Sequence, residues 1–490
     1  MAEGNIDVVA IPMLSQGHII PFMRLCELLS SRNLNVVFVT TPRNAERLRS
    51  EQADDSRVRL LEIPMPSVPG LPDGVESTER VPNRLENFFF QAMEEMQPSM
   101  REILVRLRPS SVIVDLWPIF LPDLATELNI YIVFFAVIGA YSQSLAYSLF
   151  ISLPLLHNHG DLPKVVNLPG LPKAISMRDC DLLPPFREAV KGDPDSVKAL
   201  FTAFRHYDQC NMVLVNTFYE MEAEMVDHLG STFGKPVWSI GPLVPKNATS
   251  SSSGTAENPN SSFSDSECLK WLNSREPESV VYVNFGSQIA LSAHQMQEVA
   301  AGLEASGQSF LWAVKKPNDP EDMDGASFIS SLPVDLQAFI QRYSGAGYRA
   351  DSRGLVVLGW VPQSQILGHP ATGGHVSHCG WNSTLERIGQ GVPILAWPFR
   401  HDHPCEAKLL VEELGVAEEI RREEKENGVF VVKREEVERA AKLIIKGEKG
   451  KEMRRRALQL KEGAERATRQ GGSSFKNLDR LALLIRSKSN

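Results

Sequence analysis

Cysteine is scarce. The chain has six in 490 residues, Cys26, Cys180, Cys210, Cys268, Cys379 and Cys405, and none stands at a metal-ligand spacing. That excludes a disulfide-stapled scaffold and a cysteine-built zinc module. A basic excess is also missing: Lys plus Arg is 51 against 60 for Asp plus Glu, a net charge of −9. Nucleic-acid and anionic-membrane partners, which leave a basic footprint, are therefore not expected. The N-terminus MAEGNIDVVAIP has no basic region, and Asp7 interrupts its apolar stretch, so no secretory signal is expected. Three matches to the glycosylation pattern, at Asn247, Asn260 and Asn382, then carry no weight. The expected compartment is the cytoplasm. Ile130–Leu156 carries no charge and is long enough to span a bilayer. Yet Gly139, Ser142, Gln143, Ser144, Ser148 and Ser152 dilute it, and no Lys or Arg flanks it. A buried strand at Tyr131–Ala136, followed by a helix lining an apolar pocket, fits better. Finally, G-x-G-x-x-G is absent after the first strand and G-x-S-x-G is absent altogether. A nicotinamide oxidoreductase and a serine-elbow hydrolase both lose their main signal.

What is present is an ordinary globular composition, 43% hydrophobic and 23% charged, long enough for two α/β domains with a core each. Short apolar runs alternate with helical patterns. Strands are expected at Asp7–Pro12, Asn35–Thr41, Val58–Ile63 and Ser111–Val114, with helices at Pro21–Ser31 and Leu85–Leu107. Runs without strict alternation suit strands buried on both faces of a parallel sheet. The segment Pro245–Phe263, rich in Ser, Asn, Pro and Gly, reads as a linker or surface loop. Ser264 and Glu267 then form a capping box for a helix. The alternation restarts with strands at Val280–Gly286, Phe310–Val314, Leu355–Leu358, Gly374–Ser377 and Ile394–Trp397. A helix is expected at Ala293–Ala305, helical pattern at Glu406–Leu414, and a charged helical tail from Arg434. The domain division that follows is 1–244, a linker at 245–263, a second domain at 264–470, and a helix at 471–490 packing back on the first domain.

Ligands of doubly wound domains sit beyond the carboxyl ends of the strands, and two constellations of residues lie there. His18, in MLSQGHIIPF, follows the first strand and can act as a general base near neutral pH. Alone it fits a structural histidine better. Asp115, closing the strand SVIVD, changes that balance: a buried carboxylate orients an imidazole and stabilises its protonated form. The alternative for Asp115 is a helix N-cap.

The second constellation runs from Trp360 to His403, WVPQSQILGHPATGGHVSHCGWNSTLERIGQGVPILAWPFRHDH. Its His378-Cys379-Gly380-Trp381-Asn382-Ser383 turn opens a helix whose free N–H groups favour phosphate. Asn382 and Ser383 add donors, and His378 can donate to a diphosphate. Trp360 offers a flat face to a nucleobase, and Glu386 an acceptor for ribose hydroxyls. Asp402 and His403 begin the next helix, where they can grip sugar hydroxyls. Each has a plainer alternative: Trp360 and Trp381 as core, Ser383 as a cap. His375 with His378, and His401 with His403, have the wrong spacing for the usual helical metal pair, and no third ligand is evident, so no metal is expected.

This stretch resembles the signature box of plant family 1 UDP-dependent glycosyltransferases, in W-x-P-Q, H-P, H-C-G-W-N-S-T-L-E, G-V-P and W-P. The rest of the chain is similar too, in Q-G-H-x-x-P at His18, in Asp115 and in V-Y-V-N-F-G-S at Val281–Ser287. The resemblance implies the α/β GT-B fold, two doubly wound Rossmann-like domains facing a central cleft. It also implies metal-independent, inverting transfer from a UDP-sugar, which is a co-substrate, with no cofactor. Trp360 would stack on uracil, the Val361 backbone would read the base and Gln363 would hold the uridine. Glu386 would bind ribose; His378, Asn382, Ser383 and Ser287 the diphosphate; Trp381, Asp402 and His403 the sugar. His18 would be the base and Asp115 its partner. Two departures weaken glucose as the donor. The box ends in His403 where the family usually has Gln, which the resemblance links in some members to galactose or arabinose. Ala136 stands where many glucosyl members carry a hydroxyl. A non-catalytic relative that binds UDP-sugars or small molecules is the alternative, but it would be expected to have lost His18 or Asp115. The acceptor is expected to be small and apolar or phenolic, such as a flavonoid, another phenolic or a terpenoid. Its walls are sought at Phe88–Phe90, Trp117, Phe120 and the Val137–Leu149 region. A monomer is expected.

Overall fold

The computed structural model describes residues 6–51, 57–81, 85–157, 163–244, 265–286, 289–315, 325–344, 352–424 and 430–488. Ser287, the 245–263 linker and Ser264 of the capping box lie outside the described residues. The chain divides into two units. One holds Met1–Pro245, Arg400–Cys405 and Gly463–Asn490; the other holds Lys246–Phe399 and Glu406–Glu462.

In the first unit, strands β1 (Val8–Ile11), β2 (Val36–Thr40), β3 (Arg59–Glu62), β4 (Ser111–Val114) and β5 (Tyr131–Ala136) alternate with helices. A small antiparallel hairpin, β6 (Val165–Leu168) and β7 (Ile175–Arg178), stands apart, before β8 (Met212–Val215) and β9 (Val237–Ser239). The seven-stranded sheet has the order β3-β2-β1-β4-β5-β8-β9, and its strands are parallel. β1, β2 and β4 are buried along their whole length, which is why they lack polar alternation. The second unit repeats the plan with β10 (Val280–Asn284), β11 (Ser309–Val314), β12 (Gly354–Leu358), β13 (Thr372–Ser377), β14 (Ile394–Ala396) and β15 (Ala417–Glu419). Its sheet order is β12-β11-β10-β13-β14-β15, again parallel. In each sheet the chain runs outward from one central strand, then returns to the other side. The strand order therefore reverses between β1 and β4, and between β10 and β13. Such switch points open a crevice at the strands' carboxyl ends, where ligands bind.

Two local expectations are corrected. The first helix spans Gln16–Ser30 and contains Pro21 in its second turn, where a start at Pro21 was expected. The earlier start has a distant partner: Glu79 Oε1 accepts from the Gln16 N–H at 2.8 Å and from the Ser15 hydroxyl at 3.2 Å. It satisfies a first-turn donor that a helix leaves open. The expected Leu85–Leu107 helix is two, Glu86–Glu94 and Gln97–Leu107, with Pro98 in the first turn of the second. Proline suits that turn and disfavours an uninterrupted helix through it. The helix that Asp402 and His403 introduce spans His403–Lys408 and continues as a π turn at Leu409–Glu413. Residues 400–405 and 463–470 group with the first unit. Local causes are visible: Cys405 Sγ lies 3.9 Å from Met177 Sδ, and Gly463 abuts the Phe218 ring. The last helix, Ser473–Arg486, places Leu478, Leu481, Ala482 and Ile485 in the same core as β1 and β2.

Candidate active site

The β1–β4 switch point carries the first constellation. Ile11 pairs with Val114 at the last rung, so the residues that follow each strand emerge side by side. His18 sits in the first turn of the Gln16–Ser30 helix, and Asp115 comes directly after β4. His18 Nδ1 lies 2.8 Å from Asp115 Oδ2. Asp115, 2% exposed, also accepts from the Met13 N–H at 3.0 Å and from the Leu116 N–H at 2.6 Å. Two backbone donors thus hold the carboxylate, and the carboxylate holds the ring. It is not the N-cap of the following helix, which begins at Leu121. With Nδ1–H donated to Asp115, Nε2 is left as the acceptor of the neutral ring.

Burial works against a charged His18. The Asp115 charge and hydrogen bond outweigh it, with further help from Asp402 and Glu79, so His18 is more basic than an ordinary histidine. Asp402 is itself pushed up to about 6, by burial first, while His18 pulls it back. Burial, Arg400 and His18 push His401 down to about 4. His403 is buried, at 7% exposure, and its Nδ1 accepts from the Arg400 N–H at 3.4 Å. Glu79 was missed in the sequence. Nothing in its local spacing ties it to His18; only the tertiary fold brings it there.

The expected acceptor walls separate. Phe90 packs on Trp117, ring centres 4.9 Å apart, whereas Phe89 is fully buried and Phe88 lies against Gly70. Trp117 Nε1 is buried without a hydrogen-bond partner among the described residues. Phe120 and Val137 are buried at 8% and 6% exposure, Val137 within the main core. Of the named walls, Phe88 is exposed, Phe90 and Trp117 are half-buried, and Val137 has little side chain left for a ligand.

The β10–β13 switch point carries the second constellation. Asn284, at the end of β10, donates through Nδ2 to the Tyr282 hydroxyl at 2.7 Å and to Gln363 Oε1 at 3.1 Å. Gln363 Nε2 in turn reaches Glu386 Oε2 at 2.8 Å and Ser383 Oγ at 3.4 Å. One chain of hydrogen bonds therefore joins Gln363, Ser383 and Glu386, which are 20 and 23 residues apart in sequence. Burial raises Glu386 above the ordinary carboxylate range, while Gln363 and Arg387 counter it. Tyr282 and Asn284 were not singled out from the sequence, although they stand in the matched V-Y-V-N-F-G-S motif.

His378 is set between two glycines. A Cβ at Gly286 would come within 2.6 Å of its ring, and one at Gly380 within 2.5 Å. Gly286 also has a φ of +76°, and its N–H is fixed by Asn284 Oδ1 at 2.8 Å. The Trp381–Gln390 helix starts immediately after Gly380, so Asn382 and Ser383 lie in its first turn. Trp360 is 53% exposed, a free aromatic face. Val361 is buried, and its carbonyl accepts from the Gln363 N–H at 2.8 Å. Trp381 is only 4% exposed. Chemically, this surface offers a flat ring, a buried acid, and a helix N-terminus with neutral donors.

Among the described residues no three His, Cys, Asp or Glu side chains gather as metal ligands, and no helix is long and apolar enough to cross a membrane. Two family models match the chain. One, the glycosyltransferase N-terminal domain, covers residues 4–124; the other, UDP-glucoronosyl and UDP-glucosyl transferase, covers residues 253–457. Scopoletin glucosyltransferase of Nicotiana tabacum is 32% identical over 98% of this chain and 97% of its own length. Among solved structures, Glycyrrhiza uralensis UGT73P12, complexed with glycyrrhetinic acid 3-O-monoglucuronide, matches with a TM-score of 0.82 at 26% identity. It covers 98% of this chain and 96% of its own. Phytolacca americana UGT2, complexed with UDP-2fluoro-glucose and pterostilbene, matches with a TM-score of 0.75 at 28% identity. It covers 98% of this chain and 99% of its own. With paired parallel sheets, a His–Asp pair at one switch point, a glycine-flanked helix N-terminus at the other and near full-length identity of this order, the chain belongs to the plant family 1 UDP-dependent glycosyltransferases and has their GT-B fold.

Proposed function

We propose that this UDP-glycosyltransferase transfers its sugar with inversion, and without a metal, to a hydroxyl of a small lipophilic acceptor. The observation that carries the reading is the His18–Asp115 pair, 2.8 Å apart at the β1–β4 switch point. His18 Nε2 takes the acceptor's hydroxyl proton as the oxygen attacks the anomeric carbon. The bond from that carbon to the UDP oxygen breaks, and UDP leaves with the electron pair. Asp115 keeps the ring in the tautomer that frees Nε2 and stabilises the imidazolium that forms.

The leaving diphosphate gains negative charge, which the N–H groups of the Trp381–Gln390 helix, Asn382, Ser383 and His378 offset. Ser287 belongs to this set by the family resemblance. Trp360 stacks on the uracil, with the Val361 backbone and Gln363 beside it, and Glu386 accepts from the ribose. Trp381, Asp402 and His403 are assigned to the sugar by the family resemblance. For the acceptor we favour a flavonoid, another phenolic or a terpenoid, resting on Trp117 and Phe88. Relatives named for scopoletin or solved with pterostilbene support that choice. None of the six cysteines forms a disulfide, which suits a cytoplasmic protein, and we take it to be a monomer that needs no cofactor.

The base assignment is tested with His18→Ala. Turnover should fall roughly 10²–10⁴-fold, the usual worth of a general base, with UDP affinity unchanged. Near-normal turnover would remove His18 from the mechanism. The donor is UDP-glucose by family default, with UDP-galactose and UDP-arabinose as the alternatives that His403 introduces. A histidine ring offers one donor and one acceptor at angles different from those of a glutamine amide. His403→Gln should therefore shift the ratio of rates with UDP-glucose and UDP-galactose toward glucose, at matched acceptor concentration. If His403 only supports the helix it begins, that ratio will stay where it was.

A further inference from the structure

Arg387 is a buried cation with no carboxylate bonded to it among the described residues. It is fully buried, and its guanidinium donates to three neutral acceptors: His375 Nδ1 at 3.0 Å, Thr384 Oγ1 at 3.1 Å and Ser377 Oγ. Ser377 Oγ in turn accepts from the Cys379 N–H at 3.0 Å. The guanidinium therefore ties β13 and the first turn of the Trp381–Gln390 helix to the loop that joins them. That loop, Ser377–Gly380, carries His378, and Cys379 adopts a φ of +68° within it.

The surroundings are arranged for a cation. His375 stacks on Tyr282, ring centres 4.5 Å apart, and presents Nδ1 as an acceptor. Burial and Arg387 hold His375 well below its ordinary range, so it stays neutral. Burial lowers Arg387 itself to about 10, which leaves it charged at neutral pH. The other titratable groups facing it are Cys379, Glu386 and Tyr282; burial pushes the Cys379 thiol up to about 12 and holds Tyr282 well above its ordinary range. Glu386 feels the cation at a distance and is bonded to Gln363.

Taking a charge out of water costs several kcal/mol unless an opposite charge repays it. A neutral side chain could bridge Ser377 and Thr384 without that cost. The structure points to an anion that arrives later. We propose that Arg387 is a positioning residue and a built-in counter-charge for the diphosphate of the bound donor. It holds the Ser377–Gly380 loop from beneath and supplies positive charge from inside the protein. This rests on the UDP-sugar reading of the second unit.

The test is calorimetric binding of UDP and of uridine, which lacks the diphosphate, to the wild-type protein and to variants. Arg387→Gln keeps amide donors but loses the charge. UDP affinity should drop about tenfold or more, the usual scale for losing an interaction with a charged group, with uridine affinity held within about twofold. Arg387→Lys should restore most of the preference for UDP. If the glutamine variant does not fold, Arg387→Leu with His375→Phe replaces the polar pair by apolar volume, an exchange that buried pairs often tolerate. The same selective loss is expected there. Equal losses for UDP and uridine, or no loss, in a folded neutral variant would overturn the proposal. A wild-type protein that binds UDP no better than uridine would instead overturn the donor-site reading.

Discussion

His18 owes its basicity to a carboxylate 97 residues further along the chain. The sign of the consequence is fixed. A general base must be neutral, and the folded His18 is more basic than an ordinary histidine, for which about 6.5 is typical. Activity should therefore fall on the acid side of a limb lying above that value, and level off as pH rises through it. In Asp115→Asn the charge that favours the imidazolium is gone and burial remains. The acid limb of kcat/KM should move to lower pH, and the plateau should fall at least about tenfold because the tautomer is no longer enforced. A limb that does not move would show that Asp115 acts on the loop and not on the ring. Stability follows the same linkage: the His18–Asp115 pairing contributes most below the histidine's unfolded pKa and is lost as pH rises through the raised one.

Among elements, strands were the most legible. β1, β4, β10 and β13 are short runs of apolar or small residues between turn residues, and their burial on both faces leaves no competing pattern. Helix ends were harder. The Gln16–Ser30 helix starts where Glu79 supplies an acceptor, and no neighbour in sequence announces that. The Leu85–Leu107 pattern continues apolar through a break that Pro98 marks only weakly, since proline fits the first turn of a new helix. The Phe88–Phe90 run illustrates the same limit: three adjacent rings take three different settings, and only packing chooses among them.

At the scale of the whole molecule, the end of the chain completes the beginning. Leu478, Leu481 and Ile485 of the last helix are buried in the core of the first unit. Arg32 pairs with Asp479 at 2.7 Å, and the buried Ser474 hydroxyl donates to the Gly241 carbonyl. Three large side chains buried at roughly 1.5–3 kcal/mol each are comparable to the whole stability of a domain, about 5–15 kcal/mol. Removing residues 471–490 should therefore unfold the first unit or lower its melting temperature sharply, as calorimetry would show; an unchanged transition would mean that the helix is dispensable. The chain's own order of residues determined the family, the parallel sheets, and the placing of His18, Asp115, Gln363, Ser383 and Glu386 at strand and helix ends. Those follow from local pattern, because strand burial and turn chemistry act over a few residues. Only the tertiary structure decided which side chains meet: Glu79 under the first helix, Asn284 bridging Tyr282 to Gln363, residues 400–405 within the first unit, and Arg387 left with neutral partners. Hydrogen bonds and charges act through space, and the chain's path through the fold sets those distances.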